Sequence, residues 1–123
     1  MAPIESRAPA ADDNPRERYP YHRRYLRHRV RIRVEVQSDM SFQAWTLNLS
    51  EDGLCFEIPA RVAQEREVSV WIFTGKGKAE SPVHARCRVV WSQPSAKGHR
   101  HGGQFVRFAE DGLERLRAFL TGL

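Results

Sequence analysis

Arg29-Val30-Arg31-Ile32-Arg33-Val34-Glu35-Val36 sets a charged residue against a β-branched one at every step. Successive side chains of an extended chain point to opposite sides, so Val30, Ile32, Val34 and Val36 share one face while Arg29, Arg31, Arg33 and Glu35 share the other. The pattern predicts a half-buried strand, a surface that β-branched side chains suit. Ser38-Asp39 marks a turn, and a second alternating run follows. It is read with Trp45, Leu47 and Leu49 facing inward and Thr46, Asn48 and Ser50 on the outer face. Gly53 permits a reversal. Leu54, Phe56 and Ile58 then face inward until Pro59, which cannot donate to a sheet ladder, ends the run.

The same reading extends through the rest of the chain. Residues 60–67 fit either a helical turn or a loop. Residues 68–73 read as a fourth strand, and Gly75, Gly77 and Pro82 make 74–82 a loop. Residues 83–91 form a fifth strand, 92–101 a polar loop and 104–108 a sixth strand. Leu113, Leu116 and Leu120 recur at i, i+3 and i+7, the spacing of a short amphipathic helix. Six short strands in series, with no helix between them long enough for a crossover, favour an antiparallel sheet. Closing that sheet on itself removes its exposed edges. The expected fold is therefore mainly β, a six-stranded antiparallel barrel with a C-terminal α-helix over one opening or side.

A chain of 123 residues, 41% hydrophobic and 28% charged, has room for one such core. Residues 1–20, rich in Pro, Ala and charge, read as a flexible tail, and 21–123 as the domain. No apolar run approaches the roughly 18 residues that cross a bilayer, and residues 1–20 lack the apolar stretch of a secretory signal. A cytoplasmic protein without membrane insertion is expected. Cys55 and Cys87 stand far apart in apolar surroundings and read as two buried thiols.

Charge is concentrated rather than spread. Eight arginines between Arg16 and Arg33 face the single acidic Glu17, a local excess of seven positive charges in a chain whose net charge is +5. The remainder is slightly acidic, so the positive field belongs to one segment, which suits an anionic partner. Only three of the twenty basic residues are lysines, and arginine favours planar, bidentate contacts to phosphate or guanine.

Signals for catalysis are absent. The histidines form no HExxH pattern, no serine sits in a GxSxG turn, and no GK[ST] follows a glycine-rich loop, so no catalytic residues and no enzyme activity are expected. His99 and His101 share a face of a possible strand end. With no third ligand in view they read as solvated side chains, and no metal site is expected. Two other segments carry more. Arg23 and Arg27 form an R-x-x-x-R pair directly ahead of the first strand, and Asn48-Leu49-Ser50-Glu51-Asp52-Gly53 forms an N-x-S-x-x-G element at the end of the second. Asn48 and Ser50, two apart on the outer face, offer an amide and a hydroxyl to a ligand.

The order of these two elements, their separation by one alternating strand, and the later Val89-Val90-Trp91 and Gly102-Gly103-Gln104-Phe105 segments resemble the PilZ domain family, over about residues 23–120. The resemblance implies a bacterial receptor for the second messenger cyclic di-GMP, a six-stranded barrel with a helix, and no cofactor beyond that ligand. It implies that Arg23, Arg24 and Arg27 pair with phosphates or guanine edges, that Asn48, Ser50 and Gly53 form the opposing side, and that Trp91 stacks on a base or packs in the core. Gly103 departs from the family, where an aliphatic residue is usual. His22, just before the arginine pair, leaves one nucleotide or a stacked pair open, with Arg16, Arg18 and Arg24 favouring the pair. The arginine segment is expected to order on binding and to signal to an unidentified protein partner. Two alternatives remain: a PilZ-like interaction module without nucleotide binding, and a nucleic-acid binder using the basic arm. The absence of an aromatic row on an exposed sheet face, as the alternation is read, disfavours nucleic acid.

Overall fold

Alternation carries this chain into β-structure, and the computed structural model describes residues 25–75 and 81–123. The expected tail, Arg23 and Arg24, and residues 76–80 of the expected loop lie outside the described residues. Among those described, six strands and one helix follow in order: β1 (Arg33–Gln37), β2 (Ser41–Leu49), β3 (Gly53–Ile58), β4 (Glu67–Ile72), β5 (Val83–Ser95), β6 (Gly98–Phe108) and α1 (Gly112–Thr121). Every strand pairing is antiparallel. The strands close into a barrel in the order β1-β2-β3-β6-β5-β4, with β1 returning to β4, so none is left with an open edge.

The inward faces supply the core. Val34 and Val36 of β1, Leu54, Phe56 and Ile58 of β3, Val70 and Ile72 of β4, and Val83 and Val89 of β5 are all buried together. Burying each such side chain contributes roughly 1.5–3 kcal/mol. Helix α1 adds Leu116 and Leu120 to the same cluster, while Val30 and Ile32, ahead of β1, pack against it half-buried. Cys55 and Cys87 are buried free thiols. Residues 60–66 form neither strand nor helix, and Val62 from this stretch reaches the core.

Two expectations are corrected. In β2, Ala44 and Thr46 face inward, and Trp45 and Leu47 are exposed, the reverse of the expected orientation. The cause is a β-bulge: Thr46 pairs with Phe56 but Asn48 pairs with Cys55, so Leu47 is an extra residue without a partner. The bulge resets the alternation, and Leu49 beyond it is buried while Asn48 points outward. The second correction concerns residues 92–101. They are not a loop: β5 and β6 continue as a hairpin, pairing as far as Ser95 with Gly98, around the two-residue turn Ala96-Lys97. Gly98 takes φ +133°, a backbone state open to glycine, and a Cβ there would lie 2.4 Å from the Ile58 carbonyl oxygen.

Candidate functional site

The segment ahead of β1 is laced to β2 by its backbone. His28 and Leu49 exchange two N–H to C=O hydrogen bonds of 2.9 Å. Farther along, the buried Thr46 Oγ1 accepts from the Ile32 N–H at 3.0 Å and donates to the Val30 carbonyl at 2.5 Å. A polar side chain thus sits inside the barrel wall with both bonding capacities used, as burial requires. This lacing fixes the neighbouring Arg27, whose Nη1 donates to Asn48 Oδ1 at 2.6 Å. The R-x-x-x-R and N-x-S-x-x-G elements therefore touch through their side chains.

Asn48 begins a row across the outer wall. It pairs with Cys55 on β3, Cys55 pairs with Gly102 on β6, and Gly102 pairs with Trp91 on β5. Neighbouring strands lie about 4.8 Å apart, so the row spans roughly 14 Å. Cys55 alternates with the inward Leu54 and Phe56 and so faces outward, yet it is only 6% exposed. Burial pushes its thiol up to about 12 despite the opposing pull of the Arg27 and Arg100 guanidiniums, so it stays protonated at neutral pH. The Trp91 indole lies over Gly102: a Cβ there would fall 2.0 Å from Nε1. Trp91 is half-buried on the outer wall, against the backbone of a neighbouring strand rather than in the core.

Ser50 departs from its expected position. It is fully buried, not outward. Its hydroxyl donates to the Asp52 carboxylate and accepts from the Asp52 N–H at 3.3 Å, and its own N–H bonds the Gly53 carbonyl at 2.9 Å. The serine closes the turn on itself. Gly53 has no positive φ, and its glycine requirement comes from close approach: a Cβ would lie 2.2 Å from the Gly103 carbonyl oxygen. Gly103 in turn leaves room for the Cys87 sulfur, 2.2 Å from where its Cβ would be. The cysteine fills the volume that an aliphatic side chain at 103 would occupy. The turn is held from two further sides, by the Phe105 N–H on the Asp52 carbonyl at 2.8 Å and by Glu51 Oε1 with Arg117 Nε of α1 at 2.7 Å.

Sequence reasoning did not find Thr46, Cys55, Glu51 or Arg117. Gly102-Gly103 entered it only as part of the family resemblance, ahead of the strand expected at 104–108. A groove of about 480 Å³ lies beyond the turn, lined by Tyr25, Glu51, Phe105, Phe108, Leu113 and Arg117, and it shares only the turn with the row described above. Among the described residues no three metal-ligating side chains converge. His101, expected to be solvated, is fully buried, its Nε2 accepting from the Val62 N–H at 3.0 Å and its ring stacked on Phe56 at 5.0 Å. Burial lowers its pKa to about 4, so the imidazole is neutral at physiological pH. No helix among the described residues is long and apolar enough to cross a membrane.

Residues 21–122 match the PilZ domain family. Solved structures share the fold, among them the following two. The Bacillus subtilis inhibitor of motility (MotI/DgrA) superposes with a TM-score of 0.67 at 15% identity, over 89% of this chain and 56% of that one. The PilZ domain of YcgR from Escherichia coli, in a structure with c-di-GMP, superposes with a TM-score of 0.61 at 12% identity, over 84% of this chain and 92% of that one. The chain thus spans about half the length of the first and nearly all of the second. No curated protein sequence matches it.

Proposed function

The chain belongs to the PilZ domain family, a family of cyclic di-GMP receptors, and from that premise we propose that it binds cyclic di-GMP between its arginine segment and the outer row from Asn48 to Trp91, and signals to a protein partner in the cytoplasm. The observation that carries this reading is the 2.6 Å hydrogen bond from Arg27 to Asn48, which joins the two elements at one place. The ligand offers two phosphodiester anions and two guanines, and a guanidinium can meet either bidentately. Arg27 takes one such contact, and Arg23 and Arg24 supply others. Asn48 orients Arg27 and presents its amide to a guanine edge or a phosphate. Trp91 offers an indole on the same wall for stacking. Ser50 and Gly53 act indirectly, by holding the turn that aims Asn48.

Calorimetric titration with cyclic di-GMP at physiological salt, with GMP as control, tests the reading and counts nucleotides per chain. Saturable heat with the cyclic dinucleotide and none with GMP is expected. Arg27→Lys keeps the charge but loses the planar fork, and a bidentate contact discriminates by roughly 1–3 kcal/mol, so a loss of about tenfold is expected for that variant. Equal affinity for GMP, or no heat at all, rejects the receptor reading in favour of an interaction module.

A further inference from the structure

The reversed orientation of β2 uncovers a second face. Trp45 is 49% exposed, on the wall formed by β2, β1 and β4. The Arg31 guanidinium lies 5.1 Å from the centre of its ring. Arg33, cross-strand from Trp45, lies 4.4 Å from the ring centre of Phe73, whose N–H bonds the Arg33 carbonyl. One step along the same wall Trp71 faces Glu35 of β1 and stacks on His84 of β5, with ring centres 4.5 Å apart and planes within 1°. The reading that placed Trp45 inward is thereby corrected: Trp45 stands exposed on this wall, with Trp71 and Phe73 half-buried beside it. The cause is the bulge at Leu47, which sends Trp45 to water.

We propose that this wall is a binding surface for single-stranded nucleic acid. A strand that carries planar bases and regularly spaced anions needs aromatic platforms interleaved with cations, and Arg31, Trp45, Arg33 and Phe73 supply them in alternation. The charge balance agrees. The wall's acids are already engaged, Glu35 with Arg33 at 3.3 Å and Glu67 with Arg86 at 3.4 Å, whereas Arg31 rests on a ring rather than a carboxylate. A guanidinium on an aromatic face stays oriented and keeps its edge free for a phosphate. Bases stack on the exposed Trp45 indole while Arg31 meets a flanking phosphate, and Arg33, paired with Glu35, keeps its place between Trp45 and Phe73. This surface is distinct from the row through Asn48 and Trp91, so it stands whether or not the chain binds cyclic di-GMP.

Fluorescence anisotropy with a labelled uridine oligoribonucleotide of about 12 nucleotides, a length one small barrel can cover, tests the proposal on the full chain. Saturable binding is expected, with quenching of tryptophan emission. Trp45→Ala should weaken it by about tenfold and Trp45→Phe much less, because the phenyl ring still stacks. Arg31→Gln should weaken binding and lower the salt slope by about one ion. Trp45 is half exposed, so an unchanged thermal midpoint in Trp45→Ala checks that the core is intact. An oligonucleotide that does not bind overturns the proposal. So does a Trp45→Ala protein that binds as tightly as the parent, since binding would then rest on the arginine segment or elsewhere.

Discussion

A Cβ at Gly103 would stand 2.2 Å from the Cys87 sulfur, and the barrel wall on either side is fully paired. Gly103→Ala is therefore expected to destabilise the fold by roughly 1–3 kcal/mol, the usual cost of overpacking. Adding Cys87→Ala removes the sulfur and should restore part of the loss, a coupling readable from denaturant midpoints of the two single variants and the pair. His101 yields a second expectation, in pH. Its folded pKa is about 4 and an ordinary histidine titrates near 6.5. The unfolded chain therefore takes up the proton first, so the contribution of the neutral imidazole is complete above about pH 6.5 and is lost as pH falls toward 4. That loss is of order 3 kcal/mol. Urea midpoints measured from pH 8 to 4 should fall in the parent and fall less steeply in His101→Gln. Neither residue was legible as a packing element. Gly103 stood out as a departure whose compensating sulfur lies sixteen positions away, and His101 sat in a polar stretch that concealed its burial.

At the scale of elements, the apolar alternation located β1, β3 and β4 because in those strands one face is continuously buried. It placed β2 but reversed its first half, since a one-residue bulge inverts every side chain on one side of it and leaves no compositional mark. The outer ends of β5 and β6 were missed for another reason. Gln93–Ser95 and Gly98–Arg100 pair with each other largely clear of the core, so backbone hydrogen bonds hold them and hydrophobic periodicity is absent. The R-x-x-x-R and N-x-S-x-x-G elements were legible as motifs, whereas their contact depends on the His28 to Leu49 bridge, which no pattern announces. That bridge sets an expectation at this scale. If the ligand draws the arginine segment onto the row of β2, β3, β6 and β5, amides of residues 16–28 should exchange more slowly with cyclic di-GMP present, while those of β4 are unchanged. Uniform protection across the barrel, or none in 16–28, would contradict an ordering of this segment.

For the whole molecule, one closed barrel presents two outer walls that share β2. One carries Arg27, Asn48 and Trp91, and the other carries Trp45, Arg31, Arg33 and Phe73. Arg27, Arg31 and Arg33 all come from residues 16–33, where the chain concentrates its positive charge. Closure of the barrel supplies the rigidity, and the 50–53 turn is tied to β6 through Asp52 and to α1 through Glu51 and Arg117. The proposed site is bipartite, with one half on the chain entering the barrel and the other at the end of β2. A double-mutant cycle on cyclic di-GMP affinity, using Arg27→Ala, Asn48→Ala and the pair, measures that property directly. Each single variant is expected to lose about tenfold or more, and the pair to lose clearly less than the product of the two, because either truncation already releases the other side chain. Independent, multiplicative losses, or single variants that bind as the parent does, would show that the two elements do not form one site.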